Sequence, residues 1–460
     1  MLNKMVSWIT NIDVNEAMMK QFSRLMVIGA LFASGTVSAA PIDLSTAYRK
    51  ALDYDAKLRV ARADNMIFRE EIGKSRSKLR PNIRWSGSRG RSSTQHGIQG
   101  RFTPVDYYNT ISYGVTIRQP LLNLSNIAEY QQSKSIASKS DAELQSEEVG
   151  LIVRVTEAYC NALFAEDNLN FSQAHTRAML EQLRQARRRF DNGYGTITEI
   201  NEAQASYDIA LAEGVDIVSS VEFSRRELED LIGIYPDELS RLDPARLALQ
   251  NPQPKGVEEW IAMAILSNPA LAAARQEIQI AKHEIDKQRW ARYPTIDLVG
   301  SKSYSESENN YSIGSTYNTY SISLQLSVPT YTGGFASAAI RQAHAKRLKS
   351  VEDLSSKERA VESEIRKYYN GVITTIAQIH AYEQAVKSGE IVLIGTKKGF
   401  GAGIRSNVDV LDAEWKLFTS RRDLAKLRYQ YILNTLLLKQ RAGVLSEKEI
   451  EQFNGSLVRG

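Results

Sequence analysis

The two halves of the chain carry matching residues at constant offsets, and this repeat limits the possible folds more than any other feature. At an offset of 213, Ala51-Leu52, Leu58, Ala61-Arg62, Glu71-Ile72 and Pro81 recur as Ala264-Ile265, Leu271, Ala274-Arg275, Glu284-Ile285 and Pro294. At an offset of 210, Phe190, Gly193, Thr196, Glu199, Ile200, Glu202, Ala203 and Gly233 recur as Phe400, Gly403, Ser406, Asp409, Val410, Asp412, Ala413 and Gly443. A register held over this length indicates an internal duplication. We expect an upstream extension and signal peptide at 1–40, a first repeat at 41–250, a second at 251–445 and a C-terminal tail at 446–460.

Two long stretches without proline carry helical periodicity. Proline is absent between Leu121 and Tyr235 and again after Pro329. Residues of the first stretch recur at three- and four-residue steps that are typical of one helix face: Val149, Ile152, Thr156, Tyr159 and Leu163. A continuous helix from Ser125 to Arg189 would have about 65 residues and a length of roughly 100 Å. Because an average globular helix has about 11 to 12 residues, such helices must pack along their length, as in coiled coils or tubular bundles.

Each half also contains segments that alternate between apolar and polar residues. The apolar members are Ile111, Tyr113, Val115 and Ile117 in the first half, and Tyr320, Ile322, Leu324, Leu326 and Val328 in the second. We expect their partner strands at Asn82–Arg91 and Thr295–Tyr304, with polar loops at 92–106 and 305–318 facing the cell exterior. This alternation is typical of a transmembrane barrel strand, and a soluble sheet with one buried face alternates in the same way.

Four strands in one chain cannot close a transmembrane barrel, because the smallest such barrels have about eight. An open sheet in lipid would leave unpaired backbone groups at its edges. If the strands cross a membrane, several chains must therefore contribute to one barrel. Three copies would supply twelve strands.

The N-terminal residues resemble a cleavable secretory signal. Lys20 and Arg24 precede the apolar run Leu25–Ala33, and small residues follow up to Ala40. We expect cleavage after Ala39 or Ala40. No other segment approaches 18 uninterrupted apolar residues. The mature chain is therefore expected to be periplasmic, secreted or inserted in the outer membrane.

The composition and motifs give no sign of an enzyme, a cofactor or a metal site. Cys160 is the only cysteine, and the five histidines show no ligand spacing. Neither a GxSxG motif nor a Ser/His/Asp arrangement occurs. The formal net charge is only +5, and the triplet Arg187 to Arg189 is interpreted as a solvated helix face. We expect no catalytic residues, no cofactor and no nucleic-acid partner.

This layout resembles the TolC family of outer-membrane export proteins over about Ile42 to Leu445. The most specific match is Gly399–Asp412, with the sequence GFGAGIRSNVDVLD, and a helix that ends at Gly443 follows it. The resemblance implies a mostly α fold with a transmembrane β-barrel: a trimeric channel-tunnel whose twelve-stranded barrel, four strands per chain, continues into a long α-helical barrel. It places the protein in the outer membrane of a Gram-negative cell, extending into the periplasm. The implied partners are a periplasmic adaptor, an inner-membrane ABC or RND-type transporter and outer-membrane lipid.

The resemblance also implies a gate at the periplasmic entrance. Asp409 and Asp412 match the acidic pair that lines this entrance, which gives six carboxylates around a trimer axis. Crowded carboxylates favour cations and raise one another's pKa. The alternative is ordinary helix chemistry, because acidic residues in a first turn, after Ser406 or Asn407 as cap, are favoured by the helix dipole.

Arg405 matches the arginine that holds the family's closed state by bonding a neighbouring helix pair. Its implied partners are Thr198 and Glu199, in the equivalent turn of the first repeat. This sequence departs from the best-known member, in which a tyrosine stands in place of Phe400 and an aspartate in place of Glu199. We therefore expect a gate that is held by fewer bonds.

We expect a passive duct that is driven by a partner transporter. Protein export by a type I secretion system is favoured, because many dedicated drug-efflux ducts carry a cysteine for lipid anchoring and no cysteine follows the cleavage site here. The alternative is multidrug or small-molecule efflux. A soluble periplasmic coiled-coil scaffold, with its strands in a small capping sheet, is the alternative from a different class.

Overall fold

The computed structural model describes residues 41–308 and 314–458. The predicted signal peptide lies outside the described residues. In the first half the elements are α1 (Leu44–Tyr54), α2 (Ala56–Ser77), β1 (Asn82–Thr94), β2 (Gly97–Ile98), β3 (Arg101–Phe102), β4 (Asp106–Leu122), α3 (Leu124–Asp191), α4 (Ile197–Ile232) and β5 (Arg241–Leu242). In the second half they are α5 (Val257–Ser267), α6 (Pro269–Trp290), β6 (Thr295–Ser307), β7 (Ser315–Ser327), α7 (Phe335–Gly401), α8 (Asn407–Ala442), α9 (Glu447–Asn454) and β8 (Leu457–Val458).

Both halves follow the order of two short helices, a strand pair, a very long helix and a second long helix. The predicted long helices are confirmed: α3 has 68 residues and α7 has 67, which corresponds to roughly 100 Å each. Among the described residues, no helix is both long and apolar enough to cross a membrane.

The four long strands form one antiparallel sheet in the order β1-β4-β6-β7. Residues directly opposite one another on neighbouring strands point to the same side of the sheet. One such row contains Trp85, Val115, Lys302 and Tyr320. The apolar side is open to solvent in the single chain: Ile322 is 84% exposed. Among the described strands, β1 and β7 each pair on one side only, so both edges of the sheet are open.

The strands extend further than the alternation predicted, so the predicted boundaries of both loops are wrong. β1 continues to Thr94, which pairs with Asp106, and the short hairpin β2-β3 follows it. β6 continues to Ser307, which pairs with Ser315 at the start of β7. The outer parts of these strands carry polar residues on both sides, so the apolar alternation stops while the backbone hydrogen bonds continue.

The helices next to the sheet keep the order of the strands to which they connect. Helix α2 packs on α3, α3 on α6, and α6 on α7. Farther from the sheet, α3 packs on α4 and α7 packs on α8, while contacts between α3 and α8 join the two pairs.

The largest apolar core lies midway along α3, where α1, α5, α8 and α9 converge. The hydroxyl of buried Tyr159 lies 2.9 Å from the carbonyl oxygens of both Ile42 and Ser240. Cys160 is buried in this core, and burial raises the pKa of its thiol to about 12. The chain end reaches the same region, because β8 pairs with β5.

The two repeats end their last helices in the same way. Gly233 and Gly443 cap α4 and α8 with φ of 75° and 73°, in the left-handed region that favours glycine. Each cap abuts a junction between two short helices: Gly233 lies against the Tyr54 ring, and Gly443 lies against the backbone of Ser267. At the second junction, Asn268 Nδ2 also donates to the carbonyl oxygen of Arg441, 2.8 Å away.

We expect Gly443→Ala to destabilise the fold more than Gly403→Ala. Both positions have left-handed backbone, which costs a residue with a Cβ about 1–2 kcal/mol. Only at Gly443 would the added Cβ also meet backbone atoms, 2.5 Å away at Ser267, whereas nothing lies within 4 Å at Gly403. The urea midpoint of each purified variant measures the difference. Equal midpoints would contradict the close approach of α8 to the α5–α6 junction.

Candidate functional site

Two matching turns, 192–196 and 402–406, join the long helices of each half. In the first turn the N–H groups of Tyr194 and Gly195 donate to the carbonyl oxygen of Arg189, and in the second those of Ile404 and Arg405 donate to that of Gly399. Gly193 and Gly403 both have φ of 77°. The glycines Gly399, Gly401 and Gly403 thus belong to the end of a helix and its turn.

The helices that leave the turns are capped differently. Thr196 Oγ1 accepts from the N–H of Glu199 at 3.2 Å, and Ser406 Oγ accepts from that of Asp409 at 3.2 Å. Only the second turn forms a reciprocal capping box, in which the Ser406 N–H and hydroxyl each donate to Asp409 Oδ2 at 2.9 Å. Glu199 Oε2, by contrast, is buried and has no hydrogen-bond partner among the described residues.

The predicted entrance carboxylates lie at the start of α8. The pKa of Asp409 is lowered, first by the backbone and side-chain hydrogen bonds from Ser406 and then by the nearby charge of Arg405. Asp412 lies exposed one turn farther along. Within one chain Asp409 thus performs the capping role that helix chemistry predicts. Mutual crowding of carboxylates is a property that only several copies could create.

Arg405 makes no bond to its predicted partners within the single chain. Its Cγ lies over Gly399, 2.8 Å from where a Cβ at that position would sit. The guanidinium is exposed and has no hydrogen bond or ion pair within residues 41–308 and 314–458. Thr198 is also exposed, on the first turn of α4. The latch of Arg405 with Thr198 and Glu199 stays a prediction.

A contact that the sequence did not predict joins the ends of α3 and α7. The Arg189 guanidinium lies 4.5 Å from the ring centroid of Phe400, and its Nη1 donates to the Phe400 carbonyl oxygen at 3.4 Å. Asn407, only 2% exposed, links the turns a second time through Nδ2, which lies 3.5 Å from the carbonyl oxygen of Glu199. The interpretation of Arg187 to Arg189 as a solvated face is therefore wrong for Arg189, since its ring contact makes it half-buried.

A second joint between the helix pairs lies farther along α3 and α8. The His175 ring of α3 stacks on Phe418 of α8, with centroids 4.8 Å apart, and also contacts Trp415. His175 is 8% exposed, borders a cavity of about 80 Å³, and its Nδ1 has no hydrogen-bond partner in the described chain. Burial lowers the pKa of His175, and the nearby charge of Glu414 opposes this effect.

The charged side chains that border this cavity, Glu414 and Arg421, each have a partner of opposite charge. Lys397 of α7 donates to Glu414, and Arg421 pairs with Glu390 at 2.6 Å. Within the described part of the chain, no group of three or more His, Cys, Asp or Glu side chains is placed to hold a metal ion. The site therefore consists of helix ends, an acidic residue that caps one of them, and side-chain contacts between helices.

Comparison with known proteins identifies the family of this chain. A sequence model described as outer membrane efflux protein matches residues 47–234 and 260–444. The chain belongs to this family. It is 33% identical over 446 residues to the alkaline protease secretion protein AprF of Pseudomonas aeruginosa, a match that covers 95% of this chain and 92% of that protein. It is 32% identical to the outer membrane protein TolC of Vibrio cholerae, with 95% and 99% covered.

The solved structures agree with the fold. The crystal structure of the Campylobacter jejuni CmeC outer membrane channel matches with a TM-score of 0.77 at 16% identity, over 94% of this chain and 95% of that one. The predicted TolC-like fold class is confirmed. As a member of the outer membrane efflux protein family, the chain is an outer-membrane protein.

We expect Arg189→Ala to loosen the two turns, whereas Arg188→Ala leaves them unchanged. A cation–π contact of this kind contributes about 0.5–2 kcal/mol, and Arg188 is exposed on the same helix end. Amide hydrogen exchange at 186–196 and 398–410 measures the effect, because local opening exposes these amides. Equal exchange rates in both variants would contradict the role of the Arg189–Phe400 contact.

We expect acid to weaken the joint at His175. The pKa of His175 is lower in the fold than its ordinary value of 6.5, so the unfolded chain binds more protons. The stabilisation is complete above pH 6.5 and is lost as the pH falls from there through the folded-state pKa. Thermal unfolding between pH 7.5 and 5 should therefore show a smaller acid-induced loss in His175→Phe than in wild type. His380→Phe, at an exposed position of α7, is the control, and an unchanged acid response in His175→Phe contradicts the assignment.

Proposed function

We propose that this protein is the outer-membrane duct of a type I secretion system that exports proteins, including proteases. The observation that carries the proposal is the 33% identity to the alkaline protease secretion protein AprF over nearly the whole of both chains. Conduction itself is passive. The chain offers a path, and an inner-membrane ABC-type transporter, joined through a periplasmic adaptor, supplies the driving force.

At the membrane, three copies would join their sheets into one barrel of twelve strands. The open edges β1 and β7 of neighbouring copies would pair, so every strand obtains two neighbours. The exposed apolar side, which carries Trp85 and Ile322, would face outer-membrane lipid. The polar side would then line a water-filled lumen.

At the other end, the start of α8 would form the entrance. Three copies would bring Asp409 and Asp412 together as six carboxylates, a ring that favours cations and binds multivalent ones. Arg405 would hold the entrance closed by bonding Thr198 and Glu199 of the neighbouring copy. The free, exposed guanidinium of Arg405 in the single chain supports this arrangement.

A second candidate function is efflux of small molecules, with an RND-type transporter as partner. The matched family is described as outer membrane efflux protein, and this observation favours the candidate. The two functions share the duct and differ only in the transporter and the cargo.

Single-channel recording in planar bilayers tests the duct and the gate together. We expect small cation-selective steps from the wild type and larger steps from Arg405→Ser. Block by multivalent cations should be lost in Asp409→Ala/Asp412→Ala. Arg347→Ser and Asp216→Ala, which remove exposed charges far from the start of α8, are the controls and should behave as wild type.

The results separate the parts of the proposal. If the channels conduct and neither gate variant changes the recordings, the duct stands and the assignment of the gate residues is wrong. A folded, membrane-extracted protein without conductance would overturn the duct and favour a scaffold. Complementation of a strain that lacks its own duct then assigns the cargo, because secreted protease supports type I export and restored drug resistance alone supports efflux.

A further inference from the structure

One side of the four long strands is made almost entirely of small, uncharged residues. Side chains alternate between faces along a strand, and the register places the following on one side: Ser86, Ser88, Ser112, Gly114, Thr116, Ser301, Ser303, Ser321 and Ser323. Hydroxyl pairs bridge neighbouring strands on this side, with Ser88 2.8 Å from Ser112 and Ser301 2.7 Å from Ser321. A charged side chain on this face therefore has little around it to mask its field.

Three charged residues lie on this face at the end where the strands meet the helices. Arg84 of β1 is opposite Thr116, and Arg118 of β4 is two residues farther along, so the two arginines are diagonal neighbours. Arg118 Nη2 pairs with Asp297 Oδ2 at 2.5 Å, and the Asp297 side chain is 8% exposed. This ion pair neutralises Arg118.

Arg84 keeps its charge unpaired. It is exposed, and it has no carboxylate partner or hydrogen bond among residues 41–308 and 314–458. The other acidic residue on this face, Asp106, is opposite Thr94. That is ten residues farther along β1, or about 33 Å. The helical end of the polar face thus carries one net positive charge per chain.

We propose that Arg84 forms a positive ring at the inner end of the barrel that lowers the preference of the duct for cations. The inference rests on the proposed trimeric duct, in which the polar face lines the lumen and three copies of Arg84 lie at one height. Fixed charges on the low-dielectric wall of a pore act strongly on the ions that pass through it. The duct then has two selectivity filters of opposite sign, an acidic entrance at Asp409 and Asp412 and a basic ring where the helices end.

Arg89 provides a matched control on the same strand. It is opposite Ile111 on the apolar face, is exposed, and has no acid partner in the described residues. Arg84→Ser and Arg89→Ser remove the same charge from opposite faces of β1. Arg84→Lys keeps the charge, and Arg84→Gln removes it on a longer side chain in case the serine variant does not assemble.

The measurement is the reversal potential of single channels in a KCl gradient, recorded near 0.01–0.1 M salt, where charges are screened over about 30 to 10 Å. We expect Arg84→Ser and Arg84→Gln to raise the cation-to-anion permeability ratio about twofold. Arg84→Lys and Arg89→Ser should retain the wild-type ratio. The difference should shrink near 1 M salt, where screening acts over about 3 Å.

Two results would overturn the ring while the duct stands. One is conducting Arg84→Ser and Arg84→Gln channels with an unchanged ratio. The other is a shift in Arg89→Ser as large as that in Arg84→Ser, which would mean that the lumen is not the serine-rich face. Absence of conductance in the wild type itself would instead overturn the proposed function, and the ring with it.

Discussion

The pairing of backbone groups at the edges of the four-stranded sheet is the constraint on which the rest of the protein depends. In the described chain, β1 and β7 each leave one edge unpaired beside a wide apolar face. An unsatisfied backbone group in lipid costs several kcal/mol. The sheet alone therefore cannot enter a bilayer, and the proposed trimer meets the requirement by pairing each edge with the next copy. Because the helices keep the order of the strands, the same closure would extend along the helices.

The proposed entrance combines local helix chemistry with contacts between the helix pairs. Ser406 and Asp409 cap α8 through a reciprocal pair of hydrogen bonds, which fixes the position of the first carboxylate. The Arg189–Phe400 contact and the His175 joint connect the first helix pair to the second within one chain. Neither uses Arg405. Opening that changes only contacts between copies could therefore proceed while each chain keeps its own helices together.

Much of the fold was predictable because it depends on local patterns. The duplicated register, the absence of proline and the alternation at 111–117 and 320–328 indicated the long helices and the strands. The strand ends were missed, since residues such as Ser93 and Thr94 pair through backbone atoms without an apolar signal. The cap at Asp409 followed from Ser406, but the role of Arg189 did not, because a contact across 211 positions leaves no local trace. The bond of Arg405 to Thr198 and Glu199 stays a prediction, because no such contact forms within the single chain.

Disulfide cross-linking tests directly whether the open edges of the sheet join three copies. Cys160 is buried and is the only cysteine, so a Cys160→Ala background can carry Ser86→Cys on β1 together with Ser321→Cys or Ser323→Cys on β7. Within one chain β4 and β6 separate these edges by about 14 Å, which is too far for a disulfide. Three copies joined edge to edge should give covalent species that end at trimers in outer membranes, and the single-cysteine variants should give no cross-linked species. Monomers alone for every pair would contradict it.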